Sequence, residues 1–171
     1  MGATAEPLAI PHDVELAWLR REHEIEGDSE DDTRLLGQMA GQARDYLDSF
    51  YWCQRVKRLY LGLGIGGVVA IFLVEVEHDR PEVSDWLWVV IGDLPPLYMP
   101  SEVGRNPVAA LDAYIGAMEE WIEAVRAGRS LEHVAPVEVE PSDDNADRLE
   151  RRLNYLDSEI LSRHREALSD T

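Results

Sequence analysis

The chain has 171 residues, 45% of them hydrophobic, a size and composition typical of one globular domain. It carries 34 acidic and 16 basic side chains, for a net charge of −18. Phosphate groups would be repelled, so this charge argues against sequence-independent nucleic-acid binding and docking on anionic membranes, and it favours a basic protein partner. The single cysteine cannot form an internal disulfide, and residues 1–11 lack the features of a signal peptide. We therefore expect a soluble, cytoplasmic protein.

Two elements are predicted before residue 33. Residues 12–24 can form a short helix with one apolar side, and residues 26–32 form an acidic run that is typical of a solvated loop. Its last acidic residues are candidate contacts for a basic partner: Glu30, Asp31 and Asp32.

Apolar residues at three- and four-residue steps predict a long helix from about Thr33 to Leu59. Acidic residues precede it and three basic residues lie near its predicted end, an arrangement that complements the helix dipole.

The uncharged run from Leu59 to Val74 has 16 residues, four of them glycine, whereas a membrane-spanning helix needs about 20. A glycine turn over 62–67 followed by a buried strand fits this composition better. The glycines match GxGxxG on paper, but a phosphate-binding loop requires a strand before it and a helix after it. Here the predicted order is reversed, so a tight turn or a close backbone approach is favoured.

The clearest predicted helix follows residue 106. Asn106 is a good N-cap, Pro107 suits the first turn, and Gly128 is placed to end the helix. A last helix is predicted from about residue 142 to Leu168, and it carries five arginines in an otherwise acidic chain.

These elements predict an α+β fold, a small antiparallel sheet packed by three or four helices. The strands lie near 67–77 and 85–91, with a third over 134–139 left open. Residues 1–32 are assigned to the N-terminal helix and acidic loop, and residues 33–168 to a single α+β domain.

The sequence contains no established pattern for catalysis or metal binding. The five histidines lack HExxH spacing, and GxSxG and CxxC are absent. Cys53 is interpreted as a small buried hydrophobe, with a nucleophile as the alternative. We predict no catalytic residue, no metal and no cofactor.

Trp86 and Trp88 lie two residues apart on one predicted strand, so they share a face of the sheet. That face is either core or a contact patch, because tryptophan is common at interface hot spots. The Pro-rich loop 92–96 follows directly, with Asp93 as its only charge. We retain Trp86, Trp88 and Asp93 as candidate partner-binding residues.

Three segments carry a resemblance to known proteins. They are DWLWVVIGDLPP starting at Asp85, NPVAALDAY starting at Asn106 and WIEAVRAG starting at Trp121, and they resemble a family of small uncharacterised bacterial proteins. The resemblance covers roughly residues 50–165 and implies no particular activity. In size and acidity the chain is also similar to bacterial immunity and antitoxin proteins.

Three functional hypotheses follow. The first is an acidic binding protein that neutralises or regulates a basic protein partner, as immunity proteins and antitoxins do. The second is an enzyme of unrecognised type, with a pocket beside Gly92–Pro96 or a reactive Cys53. The third is a homo-oligomeric structural module paired through the last helix.

Overall fold

A computed structural model describes residues 10–169 of the chain. Its centre is a five-stranded antiparallel sheet in which the strands follow their sequence order, so the sheet is a meander. This architecture confirms the predicted α+β class. The strands are β1 (Arg20–Arg21), β2 (Arg55–Ile65), β3 (Val69–Glu77), β4 (Trp86–Gly92) and β5 (Leu97–Pro100).

Helices cover both faces of the sheet. Helix α1 lies on one face, α2 and α3 lie on the other, and the short α4 follows α3. Successive side chains of a strand point to opposite faces. Because both faces are covered, β3 is apolar almost throughout, and its side chains contribute to both cores. The helices are α1 (Glu30–Asp48), α2 (Pro107–Ala127), α3 (Asp143–Glu159) and α4 (Arg165–Ser169).

The predicted strands at 67–77 and 85–91 are confirmed as β3 and β4, and they pair antiparallel as expected. The loop 92–96 leads into β5, an edge strand that pairs only with β4. Pro100 at its end lacks the donor that a central strand would need, which agrees with its edge position.

The predicted helix over 12–24 is wrong. Single 3-10 turns at Leu16–Trp18 and Glu22–Glu24 flank β1 instead. The two residues of β1 pair with Leu61 and Tyr60 on β2, so the described part of the N-terminal region extends the sheet. Backbone pairing with a distant strand has replaced a helix that the local apolar pattern allowed.

The predicted long helix runs eleven residues too far, to Leu59, because α1 ends at Asp48 and β2 begins at Arg55. The basic residues that were assigned to a helix end are cross-strand partners. Arg55 lies 3.0 Å from the carboxylate of Glu77, and Lys57 lies 3.6 Å from that of Glu75. Opposite charges on neighbouring strands stabilise a sheet in this way.

The glycine turn is shorter than predicted, because β2 continues to Ile65 and the turn comprises Gly66, Gly67 and Val68. Gly67 has φ of +80°, a conformation that favours glycine. A Cβ added at Gly62 would lie 2.8 Å from Pro107, and one at Gly64 would lie 2.6 Å from Leu36. These strand glycines therefore let helices α2 and α1 approach the sheet closely.

Helix α2 is confirmed with its predicted ends. The Asn106 side chain accepts a hydrogen bond from the Ala109 N–H, Pro107 is the first residue, and Gly128 adopts a left-handed conformation with φ of +65°. Eleven residues of α2 are buried, and Tyr114 and Trp121 are among the largest buried side chains.

The third strand that the sequence left open over 134–139 is not formed. Residues 129–142 contain no strand, and Val134 and Val137 pack partly buried against the core from an irregular segment. The last helix is interrupted, because α3 ends before Ile160, a 3-10 turn follows at Leu161–His164, and only then does α4 begin. Within residues 10–169, no helix combines the length and the apolar character that crossing a membrane requires.

Candidate functional site

The two predicted tryptophan anchors lie in the core. Trp88 is fully buried and its indole N–H donates a 2.9 Å hydrogen bond to the Gly104 carbonyl. Trp86 is 7% exposed and stacks on Tyr60, with ring centroids 6.2 Å apart. The structure therefore places both indoles in the core, one of the two interpretations left open for this face, because β4 is covered on both faces. Contact of either tryptophan with a partner stays a prediction.

The acidic segment is the start of α1, which corrects the prediction of a loop for Glu30, Asp31 and Asp32. The Asp32 carboxylate accepts hydrogen bonds from the backbone N–H groups of Asp28, at 2.9 Å, and Gly66, at 2.6 Å. Asp31 pairs with Arg34 at 2.6 Å. Asp32 therefore joins the helix start to the β2–β3 turn. Glu30 differs from the other two acids, because its carboxylate is exposed and makes no ion pair within residues 10–169.

Asp93 is exposed, as expected for a residue of the loop after β4. Its carboxylate lies 3.3 Å from the guanidinium of Arg152 on α3, and its N–H donates a 3.0 Å hydrogen bond to the Val68 carbonyl. The preceding Gly92 could not carry a side chain, because a Cβ there would lie 2.2 Å from the same carbonyl oxygen. The loop is thus held against the β2–β3 turn.

A buried tyrosine fixes the other end of this loop. The hydroxyl of Tyr114 on α2 donates a 2.6 Å hydrogen bond to the Pro95 carbonyl. Burial raises the pKa of Tyr114 above its usual range, because the phenolate would be desolvated. The phenol therefore stays protonated and remains a donor to the loop.

The loop forms one wall of a cleft of about 400 Å³, and α3 forms the other. Sequence analysis found Asp93 and the arginine content of α3 but could not bring them together, since that requires the packing of α3. The cleft is lined by Gly67, Val68, Asp93, Leu94, Arg148, Arg151, Arg152, Tyr155 and Leu156.

A second surface was missed by the sequence analysis. The solvent side of α2 carries four exposed carboxylates, which we call the acidic ridge: Asp112, Glu119, Glu120 and Glu123. Glu119 and Glu123 are four residues apart, a spacing at which like charges on a helix repel. The sequence indicates this surface, because all four acids occupy positions of the helix outside its apolar stripe and so are expected to face solvent.

The chemistry of the described residues is limited in two respects. Cys53 is buried, and desolvation raises the pKa of its thiol, which opposes formation of the nucleophilic thiolate. Within residues 10–169, no group of three or more His, Cys, Asp or Glu side chains is arranged to hold a metal ion.

Comparison with known proteins gives no relative. No family model matches the chain, and no curated protein or solved structure matches it either. The resemblance to a bacterial family, and the similarity to immunity and antitoxin proteins, therefore stay predictions.

Proposed function

We propose that this chain is an acidic cytoplasmic binding protein whose acidic ridge on α2 docks a basic protein partner and so neutralises or regulates it. The observation that carries the proposal is that Asp112, Glu119 and Glu120 make no ion pair within residues 10–169. Glu123 has one distant cation, Arg129, at 3.9 Å. The ridge is therefore available to cations from outside.

The fold supports this use of the ridge. From Asp112 to Glu123 the helix rises about 16 Å, so the carboxylates span about three turns. Because the opposite side of α2 is packed into the core, these charges stand on a rigid element. A fixed cluster of one sign steers an oppositely charged partner and raises its association rate.

The test compares two variants of equal charge. The ridge variant carries Glu119→Gln, Glu120→Gln and Glu123→Gln. The control carries Glu24→Gln, Glu26→Gln and Glu132→Gln, which are also exposed but lie off the ridge. Wild type and both variants are used to capture proteins from an extract of the source cells, and a captured partner is then purified for kinetic measurement.

We expect wild type and control to retain the same basic protein and the ridge variant to lose it. The association rate constant should fall about tenfold in the ridge variant at low salt, because electrostatic steering is removed. Equal retention of that protein by all three, or a captured partner that is acidic, would refute the proposal.

A further inference from the structure

The cleft between the 93–96 loop and α3 concentrates positive charge in a protein whose net charge is −18. Arg148, Arg151 and Arg152 all line it. At physiological ionic strength, charges more than about 8 Å away are largely screened, so these guanidinium groups determine the local potential more than the distant carboxylates do.

The spacing on α3 places this charge on one side of the helix. Arg151 and Arg152 follow Arg148 by three and four positions, and Tyr155 follows them by four and three, so each is a neighbour of the next along the helix surface. Arg148 and Arg152 are four apart, a like-charge arrangement that destabilises an isolated helix. Asp93 offsets only part of it, by pairing with Arg152.

Two acids close to these arginines in sequence are engaged elsewhere. Asp147, four residues before Arg151, pairs at 2.7 Å with Arg126 on α2, and Glu150 pairs with the same guanidinium at 2.9 Å. Within residues 10–169, neither Arg148 nor Arg151 has an ion-pair partner. Both are therefore available to an anion that enters the cleft.

Apart from Asp93, the rest of the cleft lining is apolar. Val68, Leu94 and Leu156 line it, and Tyr155 leaves 47% of its surface exposed beside the arginines. A second cavity of about 370 Å³ shares Arg148 and Arg152 and extends along the prolines of the loop. Each volume lies within the range typical of sites for small organic ligands, which have mainly apolar walls and a few polar groups.

We propose that this cleft binds a small organic phosphate, the chemistry of a nucleoside monophosphate. The phosphate lies on Arg148 and Arg151, whose planar guanidinium groups donate paired hydrogen bonds to phosphate oxygens. The base lies against Tyr155 and the apolar wall, since every nucleobase offers a face for aromatic stacking. This ligand is independent of the protein partner proposed for the ridge.

The first experiment measures the binding of three probes to the full chain by isothermal titration calorimetry. AMP carries both parts of the proposed ligand, adenosine lacks the phosphate, and inorganic phosphate lacks the base. We expect AMP to bind at least about tenfold more tightly than either fragment, because each fragment loses one set of contacts. An affinity for adenosine or for inorganic phosphate equal to that for AMP would overturn the proposal.

The second experiment changes the charge of the cleft. Arg148→Gln with Arg151→Gln should weaken AMP binding at least about tenfold, because charge-assisted hydrogen bonds are lost. Asp93→Asn should tighten it about threefold, the effect of removing one screened negative charge a few ångströms away. Arg129→Gln is the matched control, since this arginine lies on the surface outside the cleft and should leave the affinity unchanged.

All of the changed side chains are exposed, so the variants should fold, and an unchanged melting temperature checks this. An AMP affinity that is unchanged in the double variant, or that falls equally in the Arg129→Gln control, would overturn the proposal. Arg148→Gln, Arg151→Gln and Asp93→Asn leave the acidic ridge untouched, whereas the control Arg129→Gln removes the distant cation of Glu123. Failure of the cleft variants therefore leaves the capture of a basic partner unaffected, and the two proposals can fail separately.

Discussion

The two faces of the sheet are covered in different ways. A sheet of five strands is roughly 20 Å wide, and a helix with its side chains covers about 10 Å. One face carries α2 with α3 beside it, and Val14 and Trp18 from the N-terminal segment pack into the same core. The other carries only α1, so other residues must cover the remaining strands.

On the α1 face, an aromatic cluster completes the cover: Tyr46, Phe50, Trp52 and Tyr98. The rings of Phe50 and Trp52 stack with centroids 5.5 Å apart, and Tyr98 on β5 meets the same two rings at 5.1 and 5.2 Å. An aromatic-rich turn can therefore cover a sheet in place of a second helix, but the core that it forms lies nearer the protein surface.

The largest effect should come from α2, on the doubly covered face. Ile115→Asp places a carboxylate at a core position that is 6% exposed, where burying the charge is costly. We expect the cooperative thermal transition followed by circular dichroism to disappear. Ile115→Val, which keeps the site apolar, should cost about 1 kcal/mol. A normal melting curve for the aspartate variant would contradict the central position of α2.

Two tryptophan truncations compare the faces directly. Trp121→Ala, in the core under α2, should reduce the free energy of unfolding by about 3–5 kcal/mol. Trp52→Ala, in the aromatic cluster, should cost about half as much, since its surroundings lie nearer the surface and can collapse onto the cavity. Urea denaturation measures both, and equal losses would show that the two faces are packed equally well.

A smaller effect concerns how α1 is attached to the sheet. Asp32→Ala removes the acceptor for the Gly66 and Asp28 N–H groups and should cost about 1–2 kcal/mol. The neighbouring Asp31→Ala removes only an exposed pair with Arg34 and should cost about 0.3 kcal/mol. If chemical denaturation gives equal values, the bond to Gly66 does not contribute to stability.

The smallest expected change in stability comes from Gly→Ala substitutions on the two covering helices, and it should be equal on both faces of the sheet. Gly37 on α1 and Gly116 on α2 are exposed, and an added Cβ would meet nothing within 4 Å at either. Alanine at each position should therefore stabilise the protein by about 0.5–1 kcal/mol. Equal gains in melting experiments would show that the faces differ in the packing beneath the helices. Unequal gains would point to a difference in the helices themselves.

The sequence was sufficient where local chemistry and tertiary structure agree. Asn106 and Gly128 specify the ends of α2 by capping, and the apolar runs of β3 and β4 specify strands covered on both faces. The sequence was insufficient where pairing between distant strands decides whether a segment becomes a helix or a strand. The basic residues of 55–58 suit the end of a helix as well as they suit cross-strand pairs with Glu75 and Glu77.

The candidate site was predictable only in part, for the same reason. Asp93 follows from the loop composition, but its partner Arg152 lies 59 positions away. The cleft therefore exists only once α3 has packed beside the loop. Trp88 shows the same limit, because an aromatic residue on a strand reveals which face it lies on but not whether a helix covers that face.

The meander has a consequence for the order of folding. Strands β2 to β5 are joined by short connections, so each can add to its predecessor as a hairpin with little loss of chain entropy. Strand β1 must wait, since all of α1 separates it from β2. We expect the amides of Arg20 and Arg21 to gain hydrogen-exchange protection last during refolding and to lose it first on warming.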